Sequence, residues 1–314
     1  MIKKLFGFIV FNLITFSASF SQAYIPPYWM ILSRTSDNHG KGAYTIDQDV
    51  VFGQGDEQLV ANERWFIQSE NSLRLEVTGK KQLKDRLRLT YVYQNGRRFY
   101  LDENGIRKVE KIPNDFIESY FHFRNSKTIR TSLVAQRIAP SSSLRSETKK
   151  TSETKKTSDA KKNNANNPAY ENDPYVRLAR VGGVIAYGIS TSLSNDVAAA
   201  TTSSSTQNTT DVAPGLWIEQ DQFLIRKIRL ASLVEVTADQ YKNFSGGLWL
   251  PQERNVSWSN QSAKLLLNSV KPMALTAKSK IIFESKELSI KNDANLSRLL
   301  PEDVWVRDFY SHLR

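Results

Sequence analysis

From Ser72 to Thr78 the chain alternates without a fault, Leu73, Leu75 and Val77 on one parity and Arg74 and Glu76 on the other. Only a strand sends successive side chains to opposite faces, so this pattern dictates a sheet with one buried and one wet side. Leu87, Leu89, Tyr91 and Tyr93 repeat the device against Arg86, Arg88 and Thr90, and Tyr44, Ile46, Val50 and Phe52 do so around Thr45, Asp47 and Asp49. Asn95-Gly96 falls between two such runs, the strongest short signal for a two-residue hairpin, and Asn104-Gly105 follows it. The first half of the chain is therefore an antiparallel meander.

At Pro113 the period changes. Asp115 and Glu118 have capping-box spacing, and Phe116, Ile117, Tyr120, Phe121 and Phe123 follow at helical intervals. A second helical stretch spans about Ser126 to Ile138, with Ile129 and Leu133 one turn apart. Two short helices here would lie across a sheet face. Strand signals then resume: Tyr175–Leu178, Val184–Ile189, Trp217-Ile218, an acidic turn at Glu219 to Asp221, and Phe223–Leu230. Later runs are Leu233–Ala238, Asn255–Trp258 and Ala263–Val270. Pro301 to Trp305 reads as a helix start, with Phe309 on the face of Trp305.

The domain plan has four parts. Residues 1–23 form a secretory signal peptide: Lys3 and Lys4, an apolar run from Leu5 to Phe20, and a cleavage site near Ala23. Residues 24–140 are the first part of a curved sheet with its helices. Residues 141–173 are a disordered linker rich in Lys, Ser and Thr, in which Ser146-Glu147-Thr148-Lys149-Lys150-Thr151 recurs at 152–157. Residues 174–314 are the second part of the same sheet and a last helix. Export predicts a periplasmic location. The chain has no Cys, which removes both disulfides and the thiol that would carry a lipid anchor. Its formal net charge of +11 points, in that compartment, to anionic headgroups or acidic partners and away from nucleic acid.

Catalytic and metal signatures are absent. Three His are present, His39 in a polar loop, His122 in an aromatic helix and His312 near the end; no pair has zinc spacing, and no cofactor motif occurs. His122 reads as a buried, hydrogen-bonded His. The carboxylates Glu63, Asp115, Glu118 and Glu219 read as caps or ion-pair partners, with a paired acid/base site as the alternative. Large apolar side chains are abundant on alternating strand positions: Trp65, Ile67, Leu73, Leu75, Val77, Leu87, Leu89 and Tyr91, then Trp217 and Phe223. Singly each could fill a core. Together, on a curved sheet with few helices to cover it, they could line an apolar pocket.

In these pieces the chain resembles the LolA-type family of periplasmic lipoprotein carriers. The resemblance lies in Ser72 to Val77, the Tyr93-Gln94-Asn95-Gly96 hairpin, Leu216-Trp217-Ile218-Glu219 with the strand after it, and Tyr241 to Phe244 running on to Leu250-Pro251-Gln252-Glu253. It implies a mostly β fold: an unclosed antiparallel half-barrel of about eleven strands with short lid helices. It further implies a monomeric, non-catalytic carrier that takes an acylated lipoprotein or lipid between sheet and lid. An inner-membrane release complex and an outer-membrane receptor would be its partners. On that reading Phe116, Tyr120 and Phe121 belong to the lid, and the ten apolar strand residues bind the ligand. Arg64 and Arg74 are the two candidates for the Arg that holds the lid. The alternative is a non-catalytic envelope scaffold whose basic linker contacts anionic lipid or cell-wall polymer.

Overall fold

The computed structural model describes residues 24–53, 58–102, 104–144, 173–191, 213–288, 299 and 303–314. The expected signal peptide, the lysine-rich repeat and the Ala198–Thr210 stretch therefore lie outside the described residues.

Thirteen strands form one sheet, two more than the resemblance implies. The first meander is β1 (Ala43–Phe52), β2 (Leu59–Ser69), β3 (Ser72–Lys80), β4 (Arg88–Gln94), β5 (Arg97–Leu101) and β6 (Arg107–Lys111). The second is β7 (Tyr175–Val181), β8 (Val184–Ser190), β9 (Gly215–Glu219), β10 (Ile225–Arg229), β11 (Glu235–Phe244), β12 (Leu248–Trp258) and β13 (Gln261–Met273). Every pairing is antiparallel, and the spatial order runs β6 to β1, then β13 back to β7. The seam is the long β1–β13 ladder, which pairs Ala43 with Met273 and Phe52 with Ala263. Strands from before and after residues 145–172 are thus neighbours in one sheet. β6 and β7 do not pair, so the barrel stays open.

The expected alternation is realised at the seam, where β1 reads buried at Tyr44, Ile46, Val50 and Phe52. One continuous core fills the concave side. Gly79, in β3, lets the chain fold back tightly there: a Cβ would lie 1.9 Å from the Leu83 carbonyl oxygen in the 3-10 turn that follows.

The helical parts depart from expectation. Residues Ile117–Phe121 form a 3-10 turn with no side-chain cap, not the capped α-helix that the Asp115/Glu118 spacing suggested. The physical reason is that Glu118 turns inward to a buried guanidinium and cannot cap. The helix after it, Ser126–Ala135, is present and is capped by Asn125, whose side chain accepts from the Lys127 amide at 2.9 Å. An additional helix, α1 (Tyr28–Asp37), precedes the sheet and packs on the Ser126–Ala135 helix, called α2 here. Its Tyr28, Ile31, Leu32 and Thr35 recur at amphipathic spacing after Pro26-Pro27. Ser141–Leu144, assigned from sequence to the linker, form a 3-10 turn. A short α3 (Ala277–Ile281) follows β13, and α4 (Val304–Asp308) continues as a π-helical turn, Phe309–Leu313.

Candidate functional site

Strand register gathers seven of the ten selected residues into rows on the concave side. Tyr44, Ile67, Leu73 and Tyr93 oppose one another across β1 to β4; Ile46, Trp65, Leu75 and Tyr91 form the next row; Gln48, Glu63, Val77 and Leu89 the third. Leu87 adjoins them just before β4, and all belong to the core except the polar pair Gln48 and Glu63. Phe223 packs at the edge of the same core, stacked on Tyr187 at 6.0 Å. Trp217 stands apart. Its neighbours Leu216 and Ile218 point into the core, so Trp217 faces the other side of β9. There it lies under Lys227 and Arg229, on a shelf that needs glycine: a Cβ on Gly215 would meet its ring at 2.8 Å.

Two covers close the concave side. The first is the lid, from Pro113 through the 3-10 turn and α2. Phe116 stacks on Tyr93 with ring centroids 4.8 Å apart and leans on Trp65 at 6.1 Å. Tyr120, Phe121, Ile129 and Leu133 are buried beneath it. The second cover is α4 with its π-turn, which inserts Phe309 against Phe52 and Trp258. Tyr91 Oη donates to the Tyr310 carbonyl at 3.2 Å, and Arg98 of β5 donates to the carbonyls of Tyr310 at 3.3 Å and Ser311 at 3.0 Å. The sequence marked a helix start here but gave no sign that it enters the sheet.

Between the covers lies a buried ionic network that strand alternation did not reveal. Arg314 Nε and Nη2 donate to the two oxygens of Glu63 at 2.9 and 3.2 Å. Glu63 also accepts from Gln48 at 2.6 Å and from the Trp65 indole at 3.0 Å. Arg254 of β12 donates to Glu118 of the lid at 2.9 Å and to the Gln48 side-chain oxygen at 2.6 Å. His122 donates from Nε2 to Glu118 at 3.1 Å and accepts from Tyr44 Oη at 2.9 Å. Two carboxylates meet two guanidiniums, so the network is charge-balanced, and its members are nearly fully buried. Burial by itself would raise the Glu118 carboxyl, but the Arg254 guanidinium, the His122 bond and Arg314 together hold it well below the usual carboxylate range. Burial lowers His122 despite its Glu118 partner. It also lowers His39 to about 4, against the opposing pull of the Phe123 carbonyl that accepts from its ring. His39 is thus buried at the lid, not in a polar loop as its sequence setting suggested.

The carboxylates singled out by sequence separate accordingly. Glu63 and Glu118 are spent on guanidiniums, and Glu219 pairs with Arg226 at 2.5 Å. Neither proposed lid Arg touches the lid: Arg64 is exposed beside Asp47, and Arg74 pairs with Glu76 and the Ile282 carbonyl. The residues that do so are Arg254, on the core-facing parity of β12, and Arg314, in the last turn. Among the described residues no cluster of metal-ligating side chains is present, and no helix is long and apolar enough to cross a membrane.

A recess of about 190 Å3 lies where the lid meets the β4–β5 end of the sheet, lined by Leu73, Tyr93, Gly96, Ile112, Phe116 and Phe123 among others. Ligand sites commonly hold ~300–1,000 Å3, so this recess is an entrance and not a full site. A larger recess of about 650 Å3 lies among Tyr24–Tyr28, Pro140 and Asp173–Val176 and includes none of the selected residues.

No protein-family model matches the chain, and no curated protein matches its sequence. Among solved structures it is similar to a LolA superfamily protein from Nitrosomonas europaea, at 9% identity and a TM-score of 0.45, over 82% of this chain and 98% of that one. It is also similar to a domain described as an outer membrane lipoprotein-sorting protein from Vibrio parahaemolyticus, with 9% identity, TM-score 0.44, and 81% and 97% covered. A DUF1329 family protein from Desulfovibrio piger matches with 9% identity, TM-score 0.47, and 83% and 97% covered.

Proposed function

We propose that the protein is a non-catalytic periplasmic carrier that holds the acyl chains of a lipoprotein or related lipid on its concave face after the lid lifts. One observation carries this reading: Trp65 and Tyr93 on the concave side are covered by Phe116 of a separate segment, held to the sheet through a few polar contacts. An acyl chain that replaces Phe116, Tyr120 and Phe121 exchanges one apolar partner for another. The sheet loses nothing by the exchange, and the ligand gains about 0.8 kcal/mol per buried CH2. The lid opens at the Glu118–Arg254 contact, and cargo enters by the recess beside Phe116. No bond is made or broken. Release needs only closure, which returns the lid aromatics to Tyr93 and Trp65. The inner-membrane release complex, the outer-membrane receptor, the monomeric state and the ten ligand-binding residues are parts of the same proposal, with Trp217 on the outer face as its weakest member.

The test is native mass spectrometry with lipid extraction on protein purified from the periplasm. Co-purifying acyl species, lost in Leu75→Arg, support the carrier. A clean apo mass that takes up no added lipopeptide refutes it. A second reading, a non-catalytic scaffold, is favoured by the second cover: Phe309 and Arg314 are fully buried on the concave side, with Arg314 bonded to Glu63, and act there as a plug. In that case deletion of residues 146–162 impairs function more than Leu75→Arg does.

A further inference from the structure

We propose that the β5–β6 edge of the sheet docks the protein onto an anionic lipid bilayer. On the face of β6 opposite Lys108 and Glu110 stand Arg107, Val109 and Lys111; register places Leu101, Phe99 and Arg97 of β5 beside them. Every residue of β6 is exposed. Nearby carboxylates are spent: Glu110 binds Arg98 at 2.8 Å, and Asp102 binds Lys108 at 3.1 Å. Arg97, Arg107 and Lys111 have no ion-pair partner among the described residues, and Arg97 and Lys111 face each other directly across the ladder. Like charges set opposite are unfavourable unless an anion lies between them.

Val109 on the cations' own face is 48% exposed and Ile106, next to Arg107 in the chain, is 54% exposed, two of the most exposed aliphatic residues among the described ones. Cations flanked by exposed aliphatics suit the headgroup boundary, where the charge meets phosphate and the apolar tip enters the acyl region. Cations on an edge strand also deter strand addition. That role calls neither for Arg97, which stands one strand in from the edge, nor for uncovered Ile106 and Val109. An acidic protein would satisfy the charges but leave the aliphatics without a partner, so a bilayer is the better match.

Position adds meaning. Gly96 and Ile112, the residues next to Arg97 and Lys111, are joined by a 3.1 Å backbone hydrogen bond and line the recess under Phe116. Docking by this edge sets the entrance of the concave side at headgroup level. The docking surface stands on its own charge and exposure and goes beyond the carrier reading, so either can fail alone.

The experiment is co-sedimentation of the full chain with vesicles of phosphatidylcholine, with and without about one third phosphatidylglycerol. Binding is expected only with the anionic lipid and is expected to fall in high salt. Arg97→Glu, Arg107→Glu and Lys111→Glu combined should weaken it by more than about 100-fold, since about 1 kcal/mol per cation near the surface is already lost when the three charges are merely removed. The three Gln substitutions serve the same purpose if the Glu variant fails to fold. Ile106→Ser with Val109→Ser should weaken binding at all salt concentrations. Equal binding to neutral vesicles, an unaffected charge variant, or capture of polyglutamate in preference to vesicles would overturn the proposal. Uptake of a monomeric fluorescent fatty acid by the charge variant reports on the carrier reading separately.

Discussion

Glu118 sits where the lid meets the sheet, between Arg254, His122 and Arg314. Removing one member of a buried pair leaves the other uncompensated, typically at a cost of about 3–5 kcal/mol, whereas replacing both by apolar groups can be neutral. Glu118→Gln should therefore destabilise far more than Glu118→Met combined with Arg254→Met, measured by urea denaturation; equal losses would show that the pair is not what holds the lid. Tyr93 makes the opposite case. Its hydroxyl is buried and has no hydrogen-bond partner among the described residues, so Tyr93→Phe should be neutral or stabilise by up to about 1 kcal/mol. His39 makes stability depend on pH. Its pKa is about 4 in the fold against 6.5 unfolded, so on acidification the unfolded chain takes the proton first. The stability His39 contributes is complete above pH 6.5 and is lost as the pH falls toward 4, by about 3 kcal/mol at most. His122 acts in the same direction, and Glu118 adds its loss at lower pH still. Urea midpoints that do not change between pH 7.5 and 4.5 would refute this. Part of this was legible in the chain, where His122 read as a buried, hydrogen-bonded His and Glu63 and Glu118 as caps or ion-pair partners; Glu63, Gln48 and Arg254 lie on the core-facing parity of their strands, and alternation does not say which partners satisfy them there.

At the scale of elements, strands were the legible part because their signal is local. Leu73, Leu75 and Val77 announce β3 without reference to any partner. The 3-10 turn was misread because Glu118 has cap spacing in sequence but a stronger partner in space. α1 did carry an amphipathic pattern, but it lies directly after the expected signal peptide and two prolines, where structure is least expected. Two expectations belong here. Gly79→Ala should destabilise by about 1–3 kcal/mol, since the Leu83 carbonyl must move to admit a Cβ; an unchanged urea midpoint would show that the 3-10 turn relaxes freely. The lid should also open ahead of the sheet: amides of Ile117–Ala135 should exchange faster than those of β1 to β3, and Phe116→Ala should widen the difference. Uniform exchange in the two regions would mean that lid and sheet form one unit.

For the whole molecule, the open half-barrel was foreseeable and its contents were not. Alternation fixes which side of each strand is apolar, but it cannot say what covers that side. Here the cover is the chain itself, first the lid aromatics and then Phe309 and Arg314. The central claim is that the lid segment yields to an acyl chain while the sheet remains. Two single-tryptophan proteins test it most directly, one keeping Trp65 and the other Trp217, each mixed with a lipopeptide whose acyl chains carry bromine. Trp65 lies under Phe116 on the concave side and Trp217 on the opposite face of the sheet. The account predicts strong quenching of Trp65 and none of Trp217, with the Trp65 effect lost in Leu75→Arg. Unquenched Trp65 at saturating lipopeptide, or equal quenching of both, would contradict it.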